Sequence, residues 1–564
     1  MNDAARSLSS APGRRIARTV AFLAIVVSVT FFLRDAQRSP DTKFDDAYMT
    51  LRYAKNFLAG HGLAWDPGGE QTLGTTSILH CAALAAIRSS LPNLSDANVL
   101  KLSSVGGGLL AVLLMTLSCA SISRSEHLHG AYLIWGGLLC PMILFNGMFR
   151  YHGLTGMDTT LGMACNALLI GVALRAAYRG TVAAIVPTVI AGYLAYLARP
   201  DSGLYVALFP ALAIFFIGPR ENRIRRVLIF WGAMGGVLIA DAFAKILVFG
   251  DPFPLSFYMK SHAFKTGYAG ISSWNTAGYF MLFVGTMIPF ICTGLVLVER
   301  RNARLLLPFL IPLALTLAYS FTTVQVMGFR ARFYAPSIPF VIMAAAMLLD
   351  DQTANGEYTF RVHAVLTRLT TVLLLIVGMP IASYHFTTRY AEAVREPIDL
   401  VDTSTYYRRG ASSSTPALEW WDSIMETAAI ARRLPAGATM AMTELGLISA
   451  SAPKLTIIDP IGLHDRYFAH HGFSATVFLD REPDLIWMPH PHYVTMLRAL
   501  LESERFWAEY EVYSDMLNFG MAVRKSSPHA GVIHTLIHET WARVYPSLDI
   551  RSYRATRSPV PTTP

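Results

Sequence analysis

The residues best suited to chemistry lie in one short stretch, Lys43-Phe44-Asp45-Asp46-Ala47-Tyr48, a few residues beyond the first long apolar segment. Two adjacent carboxylates near low-dielectric lipid are pushed toward raised pKa values. That suits a group that accepts a proton or holds a cation. An Asp-Asp pair also occurs in solvated loops and at helix starts, where a carboxylate caps backbone N–H groups. Its surroundings decide between these uses. Close by stand Arg52-Tyr53-Ala54, Gly60-His61-Gly62-Leu63, Trp65-Asp66-Pro67-Gly68-Gly69-Glu70 and Gly74-Thr75-Thr76-Ser77. Carboxylates and aromatic rings are common partners of sugars, and Gly and Pro make the tight turns of a shaped loop. Tyr48, Arg52, His61 and Trp65 are therefore candidate substrate contacts beside Asp45 and Asp46.

Three further clusters carry charge next to apolar runs. Leu154-Thr155-Gly156-Met157-Asp158-Thr159 places an aspartate at the start of an apolar helix, where it also complements the helix N-terminus. Arg199-Pro200-Asp201 forms a charged turn between two apolar runs. Arg330-Ala331-Arg332-Phe333-Tyr334-Ala335-Pro336 brings two arginines together, and arginine binds phosphate with a bidentate fork. Lys260, His262 and Lys265 in the preceding polar segment add positive charge. Arg330, Arg332 and Lys260 are candidates for a lipid phosphate; Asp158, Arg199, Asp201 and Tyr334 are candidates for the surrounding pocket. Binding of ordinary anionic lipid headgroups is the simpler use of such arginines.

The elements that hold these clusters are membrane helices. The chain has 564 residues, 53% hydrophobic and 15% charged, against about 25% charged in a soluble globular protein. Mean hydropathy is +0.40. The net charge of +9 comes from Lys and Arg at the ends of apolar runs, so bilayer orientation explains it better than nucleic acid does. Apolar runs fall near 19–33, 99–121, 130–147, 159–178, 181–198, 203–218, 227–249, 277–298, 305–323, 334–349 and 364–385. A shorter one at 76–91 is broken by Arg88 and Leu91-Pro92. The Arg-rich N-terminus and the clusters Arg220, Arg223, Arg225, Arg226 and Arg300, Arg301, Arg304 belong on the cytoplasmic side. Parity then reads 76–91 as a re-entrant or interfacial helix, gives about eleven spans, and puts all the polar clusters and the C-terminal region outside. The five cysteines all lie in apolar segments with no CxxC and no metal-ligand spacing. No internal repeat is visible.

After residue 386 the pattern changes. A helix over 416–433 is followed by short β-like runs at 438–443, 455–458, 484–488, 510–513 and 520–523, with a helix near 493–504 between them. This is the pattern of a small α/β domain. The Pro-rich end, 559–564, reads as a disordered tail. Acidic residues for an acceptor hydroxyl, outer arginines for a phosphate and a polytopic body fit glycosyl transfer from a lipid-phosphate sugar on the outer face of a membrane. Nucleotide sugars are not expected there, so the donor is read as a polyprenyl phosphate.

The string from Phe44-Asp45-Asp46-Ala47-Tyr48 through Arg52-Tyr53-Ala54-Lys55-Asn56, Gly60-His61-Gly62-Leu63-Ala64-Trp65 and Pro67-Gly68-Gly69-Glu70 resembles the first outer loop of the bacterial polytopic arabinofuranosyltransferases. These are AftB-like terminal β-(1→2) arabinofuranosyltransferases of the glycosyltransferase C superfamily. Thr155-Gly156-Met157-Asp158-Thr159 resembles their Ser-Gly-Met-Glu-Thr-type motif, with Asp158 in place of the commoner Glu. Arg199-Pro200-Asp201 resembles their Arg-Pro-Glu/Asp-Gly turn, with the glycine one place later at Gly203. Thr443-Glu444-Leu445-Gly446 and Ile458-Asp459-Pro460-Ile461-Gly462-Leu463 are similar to a recurring pattern in such C-terminal domains. The resemblance implies a polyprenyl-phosphate pentose donor, a glycan acceptor of the cell wall and an essential first-loop aspartate. It does not choose between Asp45 and Asp46. A divalent cation beside the pair is left open, with no ligand set visible.

The expectation is thus a polytopic α-helical membrane protein of glycosyltransferase C type with about eleven transmembrane helices. It comprises a membrane module over 1–385, with a catalytic outer loop at 34–75, and an extracytoplasmic soluble α/β domain over 386–564. Its partners are a polyprenyl-phosphate sugar, a glycan acceptor and the bilayer, not nucleic acid. Two alternatives belong to other classes. One is a lipid-linked sugar transporter or flippase, for which the i,i+4 pair Asp241 and Lys245 inside an apolar run is the best signal. The other is a non-catalytic glycan assembly subunit.

Overall fold

The computed structural model describes residues 11–39, 43–125, 128–261, 273–298, 302–322, 329–354 and 403–558. Its first part is a bundle of apolar helices. Six are long and apolar enough to cross a membrane: α1 (Ala11–Arg38), α4 (Asp96–Ile122), α7 (Thr159–Arg179), α10 (Arg223–Phe249), α13 (Ala303–Thr322) and α14 (Ile338–Ala354), the last prolonged at its start by 3-10 turns. Shorter apolar helices are α3 (Ile78–Ser90), α5 (Tyr132–Leu144), α8 (Ile185–Ala198), α9 (Gly203–Phe216) and the middle of α12 (Ser273–Leu297). Apart from α3, these helices fall on the apolar runs expected to span. The run at 364–385 and the boundary at 385/386 lie outside the described residues. The run at 76–91 is a helix of 13 residues, the same length as α5. Two short helices, α2 (Asp45–Leu58) and α6 (Gly147–His152), and α11 (Leu255–Ser261) complete this part.

Small residues let the helices approach closely, the usual way of packing in lipid. On α4, Gly107 faces Thr160 of α7, and Ser118 faces Gly171 of α7. On α7, Gly162 lies against the aliphatic stem of Arg199. The helices end where the sequence says they should. Ser95 accepts from the N–H of Asn98 at the start of α4, and Gly180 and Gly250, both left-handed, close α7 and α10.

The C-terminal part is built on a seven-stranded sheet of order β1-β7-β5-β6-β4-β2-β3. Its strands are β1 (Tyr407–Arg408), β2 (Thr439–Ala441), β3 (Thr456–Ile458), β4 (Leu485–Trp487), β5 (Tyr510–Tyr513), β6 (Met521–Arg524) and β7 (Arg554–Arg557). β2 runs parallel to both β3 and β4; the remaining pairs are antiparallel. Flanking helices include α15 (Trp420–Arg433), α16 (Gly446–Ser451), α17 (Arg466–His471), α18 (Ala475–Asp480), α19 (Val494–Glu502), α20 (Glu504–Glu509) and α21 (Ala530–Val544). The central strands and the main helices match the sequence expectation. The outermost pair, β1 with β7, was not anticipated: β1 is only two residues long and neither strand is fully buried.

The two parts share a core. Leu51, Tyr53 and Trp65 of the segment between α1 and α3 pack in one apolar cluster with Ile424, Met440, Ile448 and Trp487 of the C-terminal part. A second cluster, formed by α4, α5, α7 and α14, fills the interior of the helical bundle.

Candidate active site

Helix α2 sorts the segment between α1 and α3 into two faces. Asp45, Tyr48, Arg52 and Asn56 follow one another at intervals of three and four, so they share a face, and all four are buried. That face meets the C-terminal part. The Asp45 carboxylate accepts the N–H groups of Gly446 (2.7 Å) and Leu447 (2.8 Å), the first two residues of α16. No side chain fits at Gly446, because a Cβ there would strike the Asp45 carbonyl. The Arg52 guanidinium donates to the carbonyls of Trp65 (2.7 Å), Ser449 (2.5 Å) and Leu455 (2.9 Å) and to the Asp66 carboxylate (2.6 Å). Asp66 in turn accepts the Ile457 N–H at 2.9 Å. The Trp65 indole lies flat on His464, with centroids 3.7 Å apart, and donates to the Ile457 carbonyl. Tyr48 packs near Trp421. These residues join the loop to strand β3, helix α16 and the loop after β3.

Both recurring C-terminal motifs belong to this joint. Gly446 of Thr443-Glu444-Leu445-Gly446 and the next residue, Leu447, supply the N–H groups for Asp45. In the second motif, Asp459 accepts the N–H groups of Ile461, Gly462 and His464 and so shapes the loop that presents His464 to Trp65. Burial pushes the Asp45 carboxyl up to about 6, against the pull of its two backbone donors. Burial likewise raises Asp459 to about 7. Glu444, desolvated and beside Asp45 and Asp46, is pushed up to about 8 and holds its proton at neutral pH.

Asp46, one residue on and about 100° round the helix, points elsewhere. Its carboxylate accepts from Arg332 at 3.1 Å, with its side chain 23% exposed. Arg332 also faces Asp158 at 3.8 Å. Asp158 accepts from Arg199 at 2.9 Å, and Arg199 forks onto Asp201 at 2.6 and 3.0 Å. Five alternating charges thus run in a chain from α2 across the 330–332 turn to the start of α7 and the end of α8. Burial raises the Asp158 carboxyl, but Arg199 and Arg332 outweigh it and hold the acid below its usual range.

The 330–332 turn has an unusual backbone. Arg330 (φ +50°) and Ala331 (φ +61°) are both left-handed without being glycine, which costs on the order of 1–3 kcal/mol per residue unless the surroundings impose it. They do impose it. The His152 imidazole pairs with the Arg330 carbonyl (3.0 Å), and the Tyr151 ring lies under the Arg330 guanidinium at 4.5 Å. Because that carbonyl can only accept, His152 Nε2 carries the proton. Burial, together with the nearby arginines, pushes His152 down to about 3 and keeps it neutral. Three buried polar atoms near this turn have no hydrogen-bond partner among the described residues: Arg332 Nε, His152 Nδ1 and His80 Nε2. Native interiors leave few such atoms unmatched.

The structure therefore brings together Asp46, Asp158, Arg199, Asp201 and Arg332. Arg330 stands at the rim, exposed, and Tyr334 is buried among the helices. Asp45, Tyr48, Arg52 and Trp65 are placed at the contact with the C-terminal part, and His61 is exposed on the loop. The side chain of Lys260, with His262 and Lys265, lies outside the described residues. His80 and His152 were missed from the sequence; a single histidine beside an apolar run carries no periodic signal. No three His, Cys, Asp or Glu side chains converge as metal ligands among the described residues. Asp46 and Asp158 do not form such a set: the cation between them is Arg332. The pair Asp241 and Lys245 is closed on itself at 2.5 Å, with the Tyr193 hydroxyl donating to Asp241.

Residues 417–545 match a family model described as a domain of unknown function (DUF8728). No curated protein matches the sequence. Among solved structures, the chain is similar to the archaeal oligosaccharyltransferase AglB from Archaeoglobus fulgidus, in complex with an inhibitory peptide and a dolichol-phosphate. The two share 13% identity with a TM-score of 0.50, over 92% of this chain and 75% of that one. The likeness establishes the fold. This is a glycosyltransferase C type membrane architecture with a C-terminal soluble α/β domain.

Proposed function

We propose that the protein is a membrane glycosyltransferase that moves a sugar from a polyprenyl-phosphate donor to a cell-envelope glycan on the outer face of the membrane. The donor sugar is read as arabinofuranose, on the resemblance of the first outer loop. The observation that carries this reading is the charge chain Asp46–Arg332–Asp158–Arg199–Asp201 at one end of the helices. The solved oligosaccharyltransferase of the same fold holds a dolichol-phosphate, which supports a lipid-phosphate ligand here.

In this reading the two acidic neighbours divide their work. Both Asp45 oxygens are taken by backbone N–H groups, so Asp45 holds the loop to the C-terminal part. Asp46 is the base. At rest its carboxylate pairs with Arg332 at 3.1 Å. A donor phosphate arriving at Arg330 and Arg332 takes over that guanidinium and leaves the Asp46 carboxylate to the acceptor hydroxyl. The acceptor hydroxyl gives its proton to Asp46 while its oxygen bonds to the anomeric carbon. The bond from that carbon to the phosphate oxygen breaks, and polyprenyl phosphate leaves with its charge held by the arginines. Asp158, Arg199 and Asp201 keep Arg332 oriented.

The test is transfer by purified full-length protein from a panel of polyprenyl-phosphate sugars, arabinofuranose first, to short arabinan and mannan acceptors. Transfer from one of these donors is expected. Folded protein that transfers none of them contradicts the reading, and transfer of another sugar corrects its specificity alone.

A further inference from the structure

One short loop grips the 330–332 turn at two points. His152, the last residue of α6, pairs with the Arg330 carbonyl at 3.0 Å, and Asp158, just before α7, faces Arg332 at 3.8 Å. Between them Thr155 Oγ1 donates to the His152 carbonyl at 3.1 Å and accepts the Met157 N–H at 3.3 Å. Gly156 makes a left-handed bend (φ +75°) that a residue with a side chain rarely adopts. The loop thus sets an imidazole and a carboxylate against the two arginines proposed for the donor phosphate. Asp158 has a use there, since it orients Arg332. The second ring nitrogen of His152 has none: the residue is 1% exposed, and its Nδ1 has no hydrogen-bond partner among the described residues.

We infer that His152 reads the donor sugar: a hydroxyl of the sugar donates to His152 Nδ1 while Nε2–H holds the Arg330 carbonyl, so one imidazole ties the sugar to the turn that takes the phosphate. The inference deepens the function proposed above and rests on it. Three observations support it. First, Nδ1 can only accept. A neutral imidazole has one N–H, and the Arg330 carbonyl takes it at Nε2. Burial, with the arginines nearby, keeps the ring neutral. Second, the donor phosphate cannot serve this atom. A phosphodiester carries no proton at neutral pH and only accepts, whereas a hydroxyl donates. Third, Arg332 Nε is a buried donor with no acceptor among the described residues, and the Arg332 charge acts on His152. The surroundings of the turn thus lack one acceptor and one donor, and a sugar phosphate supplies both. Approach is beside Arg330, which is exposed, and Tyr151, which is half-buried. A hydroxyl on Nδ1 also polarises the ring and strengthens the bond from Nε2–H to the Arg330 carbonyl. The matching sugar therefore steadies the left-handed turn that carries both arginines.

The experiment is equilibrium displacement of labelled, sugar-free polyprenyl phosphate from full-length protein in nanodiscs. The competitors are polyprenyl-phosphate arabinofuranose, its 2-, 3- and 5-deoxy forms, and unlabelled polyprenyl phosphate. In wild type one deoxy form is expected to bind about fivefold more weakly than the full donor, the usual worth of one hydrogen bond. His152→Gln keeps an N–H for the Arg330 carbonyl and lacks the acceptor at Nδ1. It is expected to bind sugar-free polyprenyl phosphate as wild type does, and to bind the full donor and that deoxy form equally. His152→Ala also strands the Arg330 carbonyl and is expected to weaken sugar-free polyprenyl phosphate as well. A histidine that only shapes the turn would weaken every ligand alike and leave the difference between full and deoxy donor in place. That difference persisting in folded His152→Gln, or absent for all three deoxy forms in wild type, overturns the inference. Where transfer shows another sugar to be the donor, its own monodeoxy forms are the competitors. A wild type that neither binds nor transfers any polyprenyl-phosphate sugar loses the proposed function, whereas one that transfers sugar and keeps the difference in His152→Gln loses only the role of His152.

Discussion

Asp45 and Asp46 are neighbours in sequence and belong to different machines. Around Asp45, Arg52 and Trp65, charged and polar groups end on backbone atoms or on a buried partner, and the residues are closed to solvent. Around Asp46 and Arg332, charges meet charges, the Asp46 side chain is 23% exposed, and buried nitrogens lack partners among the described residues. The first arrangement resembles a folded core, which a ligand could only disrupt. The second has unmet hydrogen-bonding capacity, which a ligand could satisfy. In the proposed reading one turn of helix carries both the joint and the chemistry, and fastening Asp45 fixes the position of the proposed base.

The comparison breaks most sharply at Asp46. Asp46→Asn is expected to lower transfer by about 10²–10⁴-fold, the usual worth of a general base, while thermal unfolding stays within about 0.5 kcal/mol of wild type. At the joint the order reverses. Arg52→Ala strands Asp66 and several carbonyls in a buried site and is expected to cost about 3–5 kcal/mol, seen as a lowered melting temperature and faster proteolysis of the C-terminal part. Arg52→Lys rescues little, because one ammonium cannot reach the same fan of acceptors. Asp45→Asn is smaller: it weakens the acceptor for two N–H groups and is expected to cost about 1–3 kcal/mol, with transfer per folded molecule retained.

The smallest effect is a pH dependence. Asp45, Asp459 and Glu444 are raised in the folded state, to about 6, 7 and 8. A raised acid binds its proton more tightly folded than unfolded, so its stabilisation is full below the ordinary carboxylate range and is lost as pH rises through the folded value. Stability of the joint is therefore expected to fall progressively from about pH 4 to pH 8. Hydrogen exchange of α16 across that range measures it, and Asp45→Asn removes the part of the decline near pH 6.

Much of this was legible in the sequence where the signal was local. Apolar runs gave the helices, short β-like runs gave β2 through β6, and charged residues beside apolar runs gave Asp158, Arg199, Asp201 and Arg332. The division of labour between Asp45 and Asp46 was not legible, because the partner of Asp45 lies about 400 residues away at Gly446 and no local pattern encodes that pairing. Arg52 and Trp65 read as sugar contacts for the same reason: charged and aromatic residues in a Gly-rich loop serve a ligand or a neighbouring domain equally well. The clamp of Tyr151 and His152 on Arg330 depends on left-handed backbone at two residues that are not glycine, which sequence preference argues against.

The central claim is that the acidic pair is split, and one measurement tests it directly. Purified wild type, Asp45→Asn and Asp46→Asn are compared for melting temperature and for sugar transfer from polyprenyl-phosphate arabinofuranose, or from whichever donor the wild type uses. The account predicts that Asp46→Asn melts like wild type and transfers almost nothing, while Asp45→Asn melts earlier and transfers normally for each folded molecule. Full transfer by Asp46→Asn, or an Asp45→Asn protein that melts like wild type and is inactive, would contradict it.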